Sequence, residues 1–216
     1  MAGPVMNKAG KNSLFLSVAL ALAACQGGSP GNNAEVAQEG NLIGASIGGD
    51  FTLTDQDGKS VRWADFAGKY RIVYFGYTYC PDVCPLDLRD IMAGYRMLEK
   101  DDPAKAAKIQ PIMITVDPER DTPQVLKAYV SAFHKKLIGL TGTPEQIEAV
   151  KKAFVVVSSK EGDEKATQDY LVNHSRTPFL FDPDGKPIAL VPIGAASAEE
   201  AASAKAVRDF LVQFVR

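Results

Sequence analysis

Two cysteines lie four positions apart in the segment YFGYTYCPDVCP, residues 74–85. The apolar run before Cys80 predicts a buried strand, and the helical spacing that follows predicts a helix over residues 82–98. Cys80 should then lie at or just before the helix N-terminus, and Cys84 one turn later on the same face. Backbone N–H groups and the positive end of the helix dipole favour thiolates there, so we expect both cysteine pKa values to be lowered. Two such thiolates can oxidise to a disulfide or bind a soft metal ion.

A metal site would need a further ligand beside these two cysteines. The three-residue spacer between them favours metal binding, because thiol oxidoreductases use a two-residue spacer. Two thiolates alone make a weak, open site, and the chain has only two histidines. His134 falls at the C-terminal end of a predicted helix, where a protonatable ring complements the dipole, and we interpret it as structural. His174 is the remaining candidate.

The elements that must position these residues alternate strand and helix. Asp57-Gly58 predicts an opening hairpin whose candidate inward residues are Phe51, Leu53, Val61 and Trp63. Continuous apolar runs predict central strands buried on both faces, and capping patterns predict the helices. The further predicted elements are strands at 71–78, 109–117, 137–142, 154–159 and 170–175, helices that begin after Thr122 and Thr143, a hairpin around 183–185, and a terminal helix from Ser197 to Arg216.

Together these elements predict one α/β fold. Two parallel βα units in the middle of a mixed sheet, antiparallel strands at its ends and helices on its faces are typical of a thioredoxin-like fold, here with an N-terminal β-hairpin. In such a sheet the segment that holds His174 passes beside the N-terminus of the first helix. The imidazole could therefore reach the sulfurs of both Cys80 and Cys84.

The first residues have the features of an export signal. Lys8 and Lys11 precede SLFLSVALALAAC, whose apolar run is too short to span a bilayer comfortably. Its last four residues, ending in Cys25, resemble the lipobox of bacterial lipoproteins, in which the signal is cut before a cysteine that then carries a lipid. We therefore predict a signal peptide at 1–24, with Met6 as an alternative start to Met1. The expected location is the periplasmic face of a membrane of the bacterial cell envelope.

Two regions follow the signal. Residues 25–42, which begin with lipidated Cys25, are rich in Gly, Ser, Asn and Ala and predict a flexible tether. Residues 43–216 are predicted to form the thioredoxin-like domain. The net charge of −2 and the absence of a dense Lys/Arg run argue against a nucleic-acid partner.

The chemistry of the candidate ligands favours copper. Two thiolates and one imidazole suit Cu(I), with room for a weak extra ligand on Cu(II). Zinc would want a fourth strong ligand, and the sequence shows no evident one. Our hypothesis is that Cys80, Cys84 and His174 bind one copper ion. A redox-active disulfide between the cysteines stays open as an alternative, because the exported location permits both forms.

Four segments together resemble the Sco/SenC family of copper-binding assembly proteins, over residues 43–216: YFGYTYCPDVCP, ITVDPERDTPQVLKAYV, FHKKLIGLTGT and DYLVNHSRTPFLFDPDG. The resemblance implies a thioredoxin fold, copper held by Cys80, Cys84 and His174, and delivery of copper to, or thiol reduction of, the binuclear copper site of cytochrome c oxidase. We expect a metallochaperone rather than an enzyme, with an exported thiol-disulfide oxidoreductase as the alternative. Expected partners are the copper-site subunit of the oxidase, a copper donor, a thiol reductant protein and the membrane through the lipid anchor.

Two positions depart from the pattern of the family. Asn173 stands where the family usually has aspartate, which removes a negative charge beside the histidine. Thr177-Pro178 is unusual for the family and resembles the cis-proline that faces the cysteines of thiol oxidoreductases, which keeps a redox role open.

The segment DPERDTP, residues 117–123, is interpreted as structural rather than as part of the site. Asp117 should end a strand and Thr122 should cap a helix. Glu119 and Arg120 are expected to lie in solvent.

Overall fold

A seven-stranded mixed sheet lies at the centre of the protein in a computed structural model, which describes residues 40–162, 169–194 and 200–216. The strands in chain order are β1 (Thr52–Asp55), β2 (Ser60–Arg62), β3 (Tyr70–Gly76), β4 (Ile109–Thr115), β5 (Ile138–Thr141), β6 (Ser158–Glu161), β7 (Leu171–His174), β8 (Phe179–Phe181) and β9 (Pro187–Leu190). The order across the sheet is β2-β1-β5-β4-β3-β8-β9. Strands β6 and β7 pair with each other in a separate ribbon.

The middle of the sheet is parallel and its edges are antiparallel. Strand β4 pairs in parallel with both β3 and β5, while β1 and β8 join this core antiparallel. Every residue of β3 is buried, as expected for a strand covered on both faces. The predicted strands at 71–78 and 109–117 are confirmed as β3 and β4, which end at Gly76 and Thr115.

The helices are α1 (Val83–Asp101), α2 (Pro103–Ala106), α3 (Pro123–Phe133), α4 (Pro144–Ala153) and α5 (Glu200–Phe214). The caps predicted for α3 and α4 are confirmed, because the hydroxyls of Thr122 and Thr143 accept hydrogen bonds from backbone N–H groups of their first turns. Helix α1 packs on α5 at Gly94, where a Cβ would lie 2.5 Å from that of Val207. The capping box predicted at Ser197 lies outside the described residues.

Both predicted hairpins are present. Gly58 and Gly185 adopt φ values of 79° and 83° in their turns, which glycine tolerates best. Of the inward positions predicted for the first hairpin, Phe51, Leu53 and Trp63 are buried. Val61 is partly buried against the same core.

The predicted strand at 154–159 is wrong in its bounds, because β6 spans Ser158–Glu161. After α4 the backbone turns through Val155, which has φ 55°, and the N–H of Val156 donates to the carbonyl of Lys151 at the helix end. The strand therefore begins only at Ser158. It continues through Lys160 and Glu161, two residues beyond the predicted end.

The described residues belong to one compact unit, Ala37–Arg216. Within them, residues 40–42 lie along β9, since backbone hydrogen bonds join Leu190 to Gly40 and Leu42 to Ile188. No helix in the described ranges combines the length and the apolar character needed to cross a membrane. The predicted signal at 1–24 and the lipidated Cys25 lie outside the described residues, and the boundary at residue 43 stays a prediction.

Candidate metal centre

The cysteines lie where β3 hands over to α1. The N–H of Cys80 donates to the carbonyl of Tyr77 at 3.3 Å, which closes a turn after the strand. Asp82 is the N-cap and the helix begins at Val83. Cys80 therefore precedes the helix and Cys84 lies in its first turn, as predicted.

His174 meets the two cysteines across the fold. Its Nε2 lies 3.1 Å from the Sγ of Cys84, and the ligand atoms of Cys80, Cys84 and His174 all lie within 4.8 Å of one another. The N–H of Cys84 also points to the Sγ of Cys80 at 3.4 Å. In the described part of the chain, these three form the single such group of His, Cys, Asp or Glu side chains. The structure thus brings together the three candidate ligands predicted from the sequence.

The imidazole of His174 is held in the orientation that a metal ligand needs. Its Nδ1–H donates to the carbonyl of Ser175 at 3.0 Å, so the lone pair is on Nε2, which faces Cys84. The rings of Tyr74 and Tyr77 pack edge to face against it, with centroids at 6.3 and 5.9 Å. The hydroxyl of Tyr77 also accepts a hydrogen bond from the N–H of Val172. This bond connects β7 to the loop between β3 and α1, residues 77–82, which we call the cysteine loop.

The two thiols differ in acidity. Hydrogen bonds lower the pKa of Cys80 to about 3, first from the Cys84 thiol and then from His174 and the N–H groups of Asp82 and Cys84. The same contact with Cys80, followed by burial, raises the pKa of Cys84. The expectation of two lowered pKa values is confirmed for Cys80 and wrong for Cys84. A proton shared between neighbouring sulfurs stabilises one thiolate at the expense of the other.

The site is buried on one side and accessible on the other. Cys84 is fully buried, whereas Cys80 and His174 are partly exposed, and no disulfide joins the two thiols. Gly76 makes the close packing possible, since a Cβ there would lie 2.7 Å from the Tyr74 ring and 3.1 Å from the Cys84 sulfur. Two soft sulfurs and one imidazole, with no carboxylate ligand beside them among the residues that the structure describes, fit copper in three-fold coordination better than a four-coordinate zinc.

Asp121 supports the cysteine loop from within the DPERDTP segment. This carboxylate is fully buried and accepts hydrogen bonds from the N–H and the hydroxyl of Thr78, at 3.1 and 2.6 Å, and from the hydroxyl of Thr115 at 2.6 Å. Burial raises the pKa of Asp121. The segment therefore positions the loop before Cys80 without supplying a ligand, which agrees with its structural interpretation.

The prediction that Arg120 lies in solvent is wrong. It is buried, its Nε lies 2.5 Å from Asp117, and its Nη1 donates to the carbonyl of Tyr170 at 2.9 Å. The guanidinium also lies over the rings of Tyr170 and Tyr79, at 3.6 and 4.8 Å. A buried carboxylate at Asp117 needs a counter-charge, which draws the arginine inward. Glu119 is exposed, as predicted.

A buried network beneath Cys84 was not predicted from the sequence. The carboxylate of Asp87 accepts two hydrogen bonds from Arg176, at 3.1 and 2.6 Å, and one from the hydroxyl of Tyr74 at 3.0 Å. One signal was available, because Asp87 follows Cys84 by three positions and so lies on the same face of α1. Nothing in the local sequence indicated that Arg176 would be its partner.

His134 has the structural role predicted for it. It is the C-cap residue of α3, its Nδ1 accepts from the N–H of Lys136 at 3.1 Å, and its Nε2 lies 3.3 Å from a carboxylate oxygen of Glu99. The ring also packs edge to face against Tyr95.

The two departures from the family pattern have different outcomes. The side-chain amide of Asn173 donates to Glu161 on the neighbouring strand, so the charge that Asn173 lacks is present one contact away. The described residues contain no cis peptide bond, so Pro178 is trans and differs from the cis-proline of thiol oxidoreductases that it resembles in sequence.

Known proteins match most of this chain. Protein SCO2, mitochondrial, of Saccharomyces cerevisiae is 47% identical over 141 residues, which cover 65% of this chain and 46% of the yeast protein. The chain thus spans about half the length of the first curated relatives it matches, which also include a plant and a bovine protein.

Solved structures extend the match to the fold. The structure of Bradyrhizobium japonicum ScoI with copper bound is 36% identical, with a TM-score of 0.66, and the alignment covers 78% of this chain and 99% of that chain. The thioredoxin domain of a thiol-disulfide oxidoreductase from Bacteroides vulgatus is 18% identical, with a TM-score of 0.53, and covers 79% of this chain and 96% of that chain. The second match shows the fold alone and confirms the thioredoxin-like prediction.

A family model agrees with these similarities. The model described as SCO1/SenC matches residues 40–209, which is well over half of the chain. The match includes both cysteines of the candidate site and His174. The chain therefore belongs to the SCO1/SenC family.

Proposed function

We propose that this protein binds one copper ion through Cys80, Cys84 and His174 and delivers it during the assembly of cytochrome c oxidase. One observation carries the proposal: the three ligand atoms lie within 4.8 Å of one another, with the free lone pair of the imidazole turned toward a thiol. Membership of the SCO1/SenC family and the copper-bound structures of related proteins support it.

The site is suited to loading and release of copper as cargo. Cys80 is a thiolate over the physiological pH range, since its pKa is about 3, and it lies on the accessible side. Cys84 would lose its proton as the metal binds, because a metal ligand must be deprotonated. A cysteine of an acceptor protein could then replace the ligands one at a time from the accessible side, which would transfer the ion without turnover chemistry.

The binding proposal is tested by exchanging one histidine at a time. We expect His174→Ala to weaken Cu(I) binding in a competition assay with a chromophoric chelator and to remove the nitrogen ligand from the X-ray absorption spectrum. His134→Ala is the matched control, because that ring lies outside the site and should leave copper binding unchanged. Equal copper affinity in His174→Ala and wild type would refute the proposed ligand set.

Copper delivery and thiol reduction are separated by a second comparison. A thiol-disulfide oxidoreductase would use Cys80 and Cys84 without His174, and the partly exposed, acidic Cys80 thiol is the observation in favour of that alternative. We expect His174→Ala to abolish oxidase assembly in cells while a disulfide reduction assay is unchanged. Normal assembly with His174→Ala would favour the reductase.

We also propose that the protein is lipid-anchored through Cys25 at the periplasmic face of a bacterial membrane. The lipobox ending at Cys25 and the charged, apolar signal before it support this location. The proposed partners are the copper-site subunit of the oxidase, a copper donor and a thiol reductant protein. Mass spectrometry of the mature protein should find residues 1–24 removed and a lipid on Cys25, whereas an intact N-terminus would refute the anchor.

A further inference from the structure

The candidate site depends on two segments that are far apart in the chain. Cys84 and His174 are separated by 90 positions, and they lie on α1 and β7. Strand β7 is not part of the seven-stranded sheet but pairs with β6 in a two-stranded ribbon. Because an isolated two-stranded ribbon is only marginally stable, contacts with the rest of the fold must hold β7 in place.

Two such contacts act on the residues before His174. The hydroxyl of Tyr77 accepts from the N–H of Val172, and the guanidinium of Arg120 donates to the carbonyl of Tyr170. Both fix the start of β7. They do not by themselves set the distance between the imidazole and the helix that carries Cys84.

Arg176 makes a direct connection to that helix two residues after His174. Its Nε and Nη2 donate to the two carboxylate oxygens of Asp87, at 3.1 and 2.6 Å. Asp87 is only 2% exposed, whereas the Arg176 side chain is 35% exposed. A forked, charge-assisted contact of this kind fixes both distance and orientation, which a lysine could not do.

The Asp87–Arg176 contact is a second link between the two segments that carry the site. On α1, Asp87 follows Cys84 by one turn, and in the other segment Arg176 follows His174 by two residues. The 3.1 Å contact between Cys84 and His174 and the ion pair therefore join the same two segments side by side. Tyr74 from β3 contacts both segments, because its hydroxyl donates to Asp87 and its ring packs edge to face with the imidazole of His174.

We propose that Arg176 is a positioning residue whose forked ion pair with Asp87 holds His174 beside the two thiols and keeps the copper site three-coordinate. The inference rests on the proposed copper function and adds a residue that is not itself a ligand. It predicts that loss of the pair lets the imidazole withdraw while both sulfurs stay in place, so that copper becomes two-coordinate.

The decisive variant is the double substitution Arg176→Met with Asp87→Asn, which removes the pair without leaving a buried charge alone. Asn keeps the size of Asp87 and an oxygen that can accept from Tyr74. Arg176→Lys keeps the charge but loses the fork, and it guards against misfolding of the double variant. Arg62→Met is the matched control, since Arg62 pairs with Asp65 on the surface at the far edge strand of the sheet.

X-ray absorption of the Cu(I)-loaded proteins should show two sulfurs and one nitrogen in wild type and Arg62→Met, but two sulfurs alone in the double variant. Copper affinity should fall roughly tenfold to 100-fold, the range found when an outer partner of a metal ligand is removed. The copper affinity of Arg176→Lys should lie between those of wild type and the double variant. Without copper, hydrogen exchange over residues 171–176 should be faster in the double variant than in Arg62→Met, while exchange in α3 is the same in both.

The possible failures are distinguishable. If the double variant keeps the nitrogen ligand, the affinity and the exchange rates of Arg62→Met, the role of Arg176 is refuted and the copper site stands. If wild type itself shows no nitrogen ligand, or if His174→Ala binds copper as tightly as wild type, the proposed copper site is refuted.

Discussion

The cysteine half and the histidine half of the candidate site are positioned in different ways. Cys80 and Cys84 lie within five residues of each other, on a strand-to-helix turn whose geometry follows from local hydrogen bonds and from the start of α1. His174 lies on a ribbon outside the main sheet and is held by contacts from Tyr77, Arg120 and Arg176. The cysteine half can therefore be preorganised by local structure, whereas the histidine half depends on long-range packing.

The largest difference expected lies within the cysteine half, between its two thiols. At about pH 5.5 an ordinary thiol with pKa about 8.5 is ionised only to about one part in a thousand. Cys80, with a pKa of about 3, is fully ionised there, while the pKa of Cys84 is raised. Iodoacetamide should therefore label Cys80 of the reduced, copper-free protein at a rate that is nearly constant from pH 5 to 8, as followed by mass spectrometry. A Cys80 rate that rises tenfold per pH unit would contradict the assignment.

The stability of the histidine half should be more sensitive to the loss of a buried charge than that of the cysteine half. Arg120→Met leaves the carboxylate of Asp117 without this ion-pair partner and removes the donor to the Tyr170 carbonyl. Loss of one partner of a buried pair costs about 3–5 kcal/mol, so the urea midpoint should fall strongly. Lys205→Met, which breaks an exposed pair with Asp209, should cost no more than about 1 kcal/mol. Similar losses in the two variants would show that Arg120 is not an anchor.

Gly76→Ala perturbs the cysteine half from below. The new Cβ would lie 2.7 Å from the ring of Tyr74 and 3.1 Å from the sulfur of Cys84, so the ring must move and the sulfur must shift by a few tenths of an ångström. Overpacking of this kind costs about 1–3 kcal/mol, measured as the free energy of unfolding. Copper affinity should fall as well, because Cys84 is displaced. Unchanged stability and affinity would mean that the packing around Cys84 is looser than the structure indicates.

The smallest effect is expected from Asn173→Asp, which introduces the residue usual in the family. The new carboxylate would lie against Glu161, which Asn173 contacts through its amide. Like charges at neighbouring positions of a strand pair destabilise by about 0.2–1 kcal/mol. Unfolding at low salt should show the loss, and high salt should reduce it through screening. Asn173→Ser adds no charge, so its change in stability relative to wild type should not depend on salt.

The local features of the fold could be predicted from the sequence because each depends on neighbours along the chain. Thr122 and Thr143 cap their helices through bonds to residues three positions away. The Gly58 and Gly185 turns follow from the conformational freedom of glycine. The strand at 154–159 was misplaced because its apolar residues resemble a strand, whereas the end of α4 turns the backbone at Val155.

By itself the sequence determined the order of the elements, the cysteine pair and the choice of His174 as third candidate ligand, since spacing and a fold pattern suffice for these. Only the tertiary structure decided that Arg120 is buried, that Arg176 pairs with Asp87 and that the two thiols differ in acidity. Each of these depends on which charged groups meet across the fold and how far they are removed from water. The Asp87–Arg176 pair, for example, joins positions 89 apart, and no local pattern records it.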